Sequence, residues 1–304
     1  MSIEHFLSAM PGVTLLRDLW RRRSPSYTGV RWSPPGHFYS PLLDLERLAQ
    51  APEEFADREG KLWGGIDLRA GAQLELLREF LQLDLPPALP RTPADGRRYY
   101  WDNEFFRFAD GFALTAMLQH TRPKRIVEVG SGFSTALMLD AADSLDLLIQ
   151  LTAIEPFPER LRSVLKPEDV ARVKIIEQRV QDVPSEIFEQ LGSNDLLFVD
   201  SSHVAKVGSD VADLFLRVLP RLKPGVLVHF HDIFYPGVYP EGWLRQGCAW
   251  NEGLFLRAFL QFNRAFEVLW FNAFIGHTCR EQLAASLPLF LADTGGSIYL
   301  RRVE

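Results

Sequence analysis

Only two cysteines occur in the 304 residues, Cys248 and Cys279. Two are too few for a disulfide framework, and no CxxC or Cys/His spacing of a structural zinc site is present. Both read as small, partly buried apolar residues in a reducing compartment. No apolar run approaches the roughly 20 residues that span a bilayer. Glu4 and His5 stand where a secretory signal carries basic residues, so the expectation is a cytoplasmic protein without an integral membrane segment. Neither charge dominates: 33 basic against 39 acidic residues give a formal net charge of −6. That balance provides no long-range pull on a polyanion, which disfavours a nucleic-acid partner. Repeats and low-complexity tracts are absent as well.

What is present is a core-forming composition, 47% hydrophobic and 24% charged. Residues 1–95 are irregular. Helical patterns at Ile3–Met10 and Val13–Arg22 precede a Pro/Gly/aromatic loop, SPSYTGVRWSPPGHFYSP, and two further patterns cover Leu42–Gln50 and Ala72–Leu83. The proline cluster in LPPALPRTP removes donors and stops the second of these, which places a boundary near residue 95 between a helical extension and a domain over 96–304.

From residue 96 the pattern turns regular. A helix is predicted over Asn103–His120, capped by Asp102 or Asn103. Apolar runs then follow at Arg125–Val129, Leu147–Ile154, Arg172–Glu177, Leu196–Val199, Val226–Phe230, Phe266–Phe271 and Ser297–Leu300. They are continuous rather than alternating, as in parallel strands covered on both faces. Amphipathic stretches separate them at Thr135–Ala142, Pro158–Leu165, Pro184–Leu191, Asp210–Leu222 and Asn251–Phe262. The expected fold is therefore α/β, a doubly wound, Rossmann-like sheet of seven strands. No crossover helix is evident between the last two runs, so the final strand is expected to be antiparallel.

Ile126–Thr135, IVEVGSGFST, reads as strand, glycine turn and helix start. Gly130 and Gly132 let a ligand approach backbone at the carboxyl edge of the sheet, with Ser131 between them. Ser134 and Thr135 are candidate caps for a helix whose N–H groups suit a carboxylate. The third glycine of GxGxxG is replaced by Thr135, which compromises a pyrophosphate fit. Glu128 would repel a pyrophosphate but suits a ligand bearing ammonium and sulfonium cations. Glu155 ends the second strand, where an acid can accept bonds from both ribose hydroxyls.

ExGxGxxT, an acid after strand two and an aspartate after strand four resemble the class I S-adenosylmethionine-dependent methyltransferases, over roughly residues 100–304. The resemblance implies a mostly parallel sheet with its last strand antiparallel. It also implies that Glu128, Gly130 and Gly132 line the methionine part of the cofactor, that Glu155 holds the ribose, and that Gln181 and Asp182 lie near adenine.

Two strand tips carry the remaining chemistry, Asp200-Ser-Ser-His203 after the fourth strand and His229-Phe-His231-Asp232 ending the fifth. Parallel neighbours bring Asp200, His203, His231 and Asp232 to one edge of the sheet. A structural hydrogen-bond network is one use of such groups. Metal binding is the other: Asp200, His231 and Asp232 supply oxygen and nitrogen ligands for a divalent ion such as Mg²⁺. Such an ion lowers the pKa of an acceptor hydroxyl, and an imidazole removes the proton, with His203 the first choice of base and His231 the second. The cluster resembles that of the metal-dependent small-molecule O-methyltransferases, which implies an acceptor such as a sugar or natural product. It departs from them at His231, where those relatives carry an acid. Tyr235, Tyr239 and Trp243 follow in an aromatic loop suited to a lid over the acceptor or to a homo-oligomer contact. The SPPGHFYSP loop and Tyr99-Tyr100-Trp101 are further lid candidates. A nicotinamide-dependent oxidoreductase and a non-catalytic S-adenosylmethionine-binding protein are the competing readings.

Overall fold

The computed structural model describes residues 37–50, 60–83 and 89–304. The expected helices Ile3–Met10 and Val13–Arg22, and most of the aromatic loop after them, lie outside these residues. The chain divides into two compact units, 1–55 with 241–249, and 56–240 with 250–304. The division falls after Phe55 rather than near residue 95. Within the smaller unit, helix α1 (Leu45–Gln50) packs against helix α8 (Glu241–Arg245).

The larger unit begins with α2 (Ala70–Phe80) and α3 (Phe108–Thr121). It continues with β1 (Arg125–Val129), α4 (Phe133–Leu145), β2 (Gln150–Ile154), α5 (Glu159–Val164), β3 (Val173–Ile176), α6 (Glu186–Glu189), β4 (Leu196–Val199), α7 (Asp210–Asp213) and β5 (Leu227–Phe230). Beyond α8 lie α9 (Glu252–Leu260), β6 (Phe266–Phe271), α10 (Asn272–Thr278), α11 (Arg280–Ser286) and β7 (Ile298–Arg302). The seven strands form one sheet in the order β3-β2-β1-β4-β5-β7-β6. β7 runs antiparallel between β5 and β6, and every other pairing is parallel. The predicted doubly wound sheet is thus present.

Alternate strand residues feed two apolar layers. Ile126, Phe198 and Leu227 pack with α2 to α4, whereas Val127, Val129, Val199 and Phe230 pack with α6, α7 and α9. This covering of both faces accounts for the continuous apolar runs. Asp195 locks the strand starts in register, its Oδ1 accepting from the Lys124 and Arg125 backbone N–H groups.

Three elements differ from the prediction. The first turn expected at Asn103 is absent, because the Asn103 side chain accepts from the Phe105 and Phe106 N–H groups and donates to the Tyr100 and Phe106 carbonyls. Those bonds satisfy the backbone in a turn, so the helix starts at Phe108. Residues 210–222 do not form one α-helix: after α7 the chain widens into a π turn over Leu214–Val218 and tightens into a 3-10 turn over Leu219–Arg221, where Pro220 offers no N–H. Finally, α10 and α11 do separate β6 from β7, and α10 begins directly after β6 with no glycine or proline to announce it.

The segment before α3 is tied to the domain through Arg98. Its guanidinium, side chain 2% exposed, reaches Asp140 and Asp143 on α4 at 2.8 Å and Asp169 at 2.6 Å. Burial raises the Asp143 and Asp169 carboxyls, but the bonds to Arg98 outweigh it and leave both below the usual range. Removing the cation would strand buried carboxylates. Arg98→Leu is expected to cost about 3–5 kcal/mol, seen as a lower urea midpoint at an unchanged slope.

Candidate active site

The tips of β1, β4 and β5 meet where a glycine permits it. Gly130 has φ +77°, and a Cβ added there would collide with the Asp200 carbonyl oxygen. The Gly130 N–H donates to the Ile154 carbonyl and the Asp200 N–H to the Val129 carbonyl, so the ladder continues into the turn. The four expected strand-edge residues do lie on one edge, but their roles divide.

Asp200, His203 and Asp232 form a cluster in which one ligand atom from each lies within 4.8 Å of the others. His203 Nε2 is 3.5 Å from Asp200 Oδ1 and 3.3 Å from Asp232 Oδ2. Its Nδ1 is 2.8 Å from Glu252 Oε2, and Glu252 Oε1 accepts from the Ser201 hydroxyl. His203 and Asp232 both adopt the left-handed backbone conformation, with φ of 59° and 57°. The His203 carbonyl accepts from the Asn251 and Glu252 N–H groups, fastening its loop to the start of α9. Burial disfavours an imidazolium here, yet the bonds to Asp200 and Glu252 overcome it and hold His203 well above 6.5. Burial also raises Asp200, but His203 and the charge of His231 bring it down to about 2. Three carboxyls around one imidazole leave an excess of acid, and oxygen-rich donors with one imidazole suit a divalent cation.

His231, expected beside Asp200 and Asp232 as a ligand, lies outside that group of three. Its Nε2 lies 3.6 Å from Asp232 Oδ1, its Nδ1 is buried without a partner, and its ring packs 5.3 Å from Phe106. The His231 N–H donates to the Val199 carbonyl and continues the β5 ladder, whereas Asp232 turns out of it with a left-handed backbone. His229 is deeper still, stacked 3.8 Å from Phe198 with Nε2 on the Ser297 hydroxyl.

The turn departs from expectation in its side chains. Glu128 is fully buried, on the α4 face of the sheet, and accepts from the Ser134 and Thr135 hydroxyls at 2.6 and 2.5 Å. It therefore meets the helix rather than a bound cation, and burial pushes it up to about 8 against the pull of those hydroxyls. Ser134 is spent on Glu128, whereas Thr135, which also donates to Glu128, accepts the Gly132 N–H at 3.2 Å and so caps the helix start.

Glu155 Oε2 accepts from the Ser131 N–H and Oε1 from the Phe157 N–H, at the rim of a cleft of about 430 Å³. Gly130, Glu155, Gln181, Asp200 and Lys206 are among its lining residues. One buried polar atom of that lining, Gln181 Oε1, has no partner, as fits a ligand that donates, and Ser131 Oγ in the neighbouring turn has none either. Asp182 faces away: it is exposed and paired with Arg179 at 2.8 Å. The lid candidates are mostly committed to packing. Tyr239 is buried with its oxygen accepting from the Gly253 N–H, Tyr235 packs on Phe271 and Phe274, and Tyr99 donates to the Phe106 carbonyl. Trp243 belongs to the smaller unit.

Two residues escaped the sequence reading. Glu252, near the start of the stretch read only as amphipathic, is the acid that holds His203. Asp110, inside an apolar helix, accepts from the Gly296 and Ser297 N–H groups and the Ser297 hydroxyl, and burial raises it to about 6. Gly296 in turn lies against the Asp232 backbone with no room for a Cβ, and its carbonyl receives the Ile233 N–H. A polar residue lacking partners in its own element was the available signal for both.

Comparison with known proteins agrees with this frame. Residues 127–233, spanning the glycine turn and both acidic strand tips, match a family described as Methyltransferase domain. An uncharacterized protein of Archaeoglobus fulgidus is 35% identical over 170 residues, covering 53% of this chain and 74% of that one. Among solved structures, an apo form of CmcI is 19% identical, with a TM-score of 0.43, over 76% of this chain and 95% of its own. The S-adenosylhomocysteine-bound methyltransferase PaMTH1 of Podospora anserina is also 19% identical, with a TM-score of 0.41, over 85% and 95%. The domain match, on a sheet of this order and with this glycine turn, makes residues 127–233 a methyltransferase domain. Among the described residues no helix is long and apolar enough to cross a membrane.

The position of Glu128 generates a pH prediction. Its proton is held more tightly folded, at about 8, than at the ordinary 4.5, so its stabilising contribution is complete below pH 4.5 and is lost as the pH rises toward 8. Glu128→Gln should gain on the parent protein by ~3 kcal/mol between pH 5 and pH 8 and then level off, measured by denaturant unfolding across that range.

Proposed function

We propose that this methyltransferase transfers a methyl group to a hydroxyl oxygen of a small molecule, such as a sugar or natural product, with the help of a divalent cation. The observation that carries this reading is the convergence of Asp200, His203 and Asp232 beside the cofactor turn. An alcohol is a poor nucleophile until it loses its proton, so an oxygen acceptor is the one that needs such a cluster. Bound S-adenosylmethionine supplies an activated sulfonium methyl, and a bound divalent cation supplies charge that lowers the acceptor's pKa.

The chain's own residues do the rest. Glu155 would accept from the ribose hydroxyls, and the spare acceptor of Gln181 lies in the lining of the same cleft. The backbone of Gly130 and Gly132 lets the ligand lie against the turn. Asp200 and Asp232 offer oxygen donors for the cation. With a cation neutralising Asp200 and Asp232, the imidazolium of His203 would lose the charges that hold its proton, and Nε2 would then take the acceptor's proton, while Glu252 at Nδ1 fixes the ring's orientation and tautomer. Trp250 lies 4.6 Å from the His203 ring and provides an apolar wall for the acceptor.

Glu155→Ala should weaken S-adenosylhomocysteine binding about 10-fold, measured by calorimetry. Asp232→Asn should leave that affinity within about 2-fold yet lower turnover of catechol and sugar acceptors at least ~100-fold. Full activity of Asp232→Asn in the presence of a chelator would refute cation assistance.

A further inference from the structure

Asp110 is a buried acid in the apolar helix α3, only 3% exposed. Its Oδ1 gathers donors from the entry to β7. It accepts from the Gly296 N–H at 3.1 Å, the Ser297 N–H at 3.0 Å, the Ser297 hydroxyl at 2.6 Å and the Asn272 side-chain amide at 3.1 Å. The Asn272 N–H in turn donates to the Ser297 carbonyl at 2.9 Å, so the loop is held from two elements. A carboxyl in such a helix is costly, and that cost is offset only because the loop brings its donors to it.

The loop lies between two aspartates. At Gly295, with φ +66°, a Cβ would collide with the Asp110 carboxyl. At Gly296 a Cβ would lie 2.7 Å from Asp232 Cα and 2.8 Å from its nitrogen. One glycine clears the acid behind and the other clears the acid in front, so bare backbone fills the space between them. The Gly296 carbonyl also receives the Ile233 N–H at 2.8 Å, which fixes the peptide that follows Asp232. Asp232 has a left-handed backbone, φ 57°, a conformation that a residue with a side chain keeps only where its neighbours impose it. From that turn its Oδ2 reaches to 3.3 Å from His203 Nε2.

We propose that Asp110 is a positioning residue for the cation site: through Gly295 and Gly296 it holds Asp232 in its left-handed turn and so aims the carboxylate that receives the cation. The inference rests on the reading of Asp200, His203 and Asp232 as a cation site. Asp110 belongs neither to that group of three nor to the lining of the cleft at Glu155. Its effect therefore falls on cation affinity and leaves cofactor affinity alone.

Mn²⁺ affinity of the purified full chain, read from the electron paramagnetic resonance of free Mn²⁺, is compared with calorimetric affinity for S-adenosylhomocysteine. Asp110→Leu should weaken Mn²⁺ binding about 10- to 100-fold and leave S-adenosylhomocysteine binding within about 2-fold. Asp110→Asn, whose amide oxygen accepts the same N–H groups, should keep Mn²⁺ affinity within about 3-fold of the parent protein. Unchanged Mn²⁺ affinity in folded Asp110→Leu, equal losses for both ligands, or a loss in Asp110→Asn as deep as in Asp110→Leu overturns the positioning role. Should Asp110→Leu not fold, Ser297→Ala removes the shortest of the bonds to Asp110. That variant should weaken Mn²⁺ binding about 3-fold or more, and an unchanged affinity again overturns the role. A parent protein that binds S-adenosylhomocysteine but no Mn²⁺ overturns the cation reading together with the proposal and leaves the cofactor reading intact.

Discussion

The close approach of Gly130 to the Asp200 carbonyl is the contact on which the site depends. A side chain at 130 would occupy the space of that carbonyl, and the turn needs a left-handed backbone that glycine adopts without cost. With it, the β1 turn and the β4 tip share one wall, so the cleft lined by Glu155 and Gln181 on one side of Asp200 and the acid–imidazole cluster on the other become adjacent. Transfer between two bound molecules requires that adjacency, because alignment of donor, methyl and acceptor is most of what the protein contributes.

Around this contact the structure places buried acids in pairs with opposite tasks. Glu128 and Asp110 are raised by burial and act as internal struts, one gripping the first turn of α4 and the other the strand-entry loop behind Asp232. Asp200 is lowered by its imidazole neighbours and stays ionised. Glu252 is raised by burial but opposed by His203, which it holds. Their environments decide which carboxyls face a ligand and which face the fold, although in sequence all four look alike.

That distinction marks how far the sequence could be read. Sheet, strand positions and glycine turn were legible because periodicity and glycine chemistry are local. The convergence of Asp200, His203 and Asp232 was legible because parallel strands end on a common edge. Which imidazole joins the two aspartates was not. His231 precedes Asp232 directly and looked the better ligand, but its ring packs toward Phe106, whereas the left-handed turn at His203 swings its ring back between the carboxyls. Glu252 was hidden for a similar reason: 49 residues separate it from His203, and only the packing of α9 brings them together. The turn at Asn103 was missed because side-chain bonds set that boundary, and the helix after β6 because neither glycine nor proline marks its start.

The account's central claim is that the cofactor's sulfur and a cation lie on either side of Asp200. A crystal grown with S-adenosylhomocysteine and soaked in Mn²⁺ tests it through anomalous scattering. The account predicts a manganese peak touching Asp200 and Asp232, with the homocysteine sulfur facing it and the ribose on Glu155. A peak bound by other residues, or a nucleoside seated away from the Gly130 turn, would contradict it.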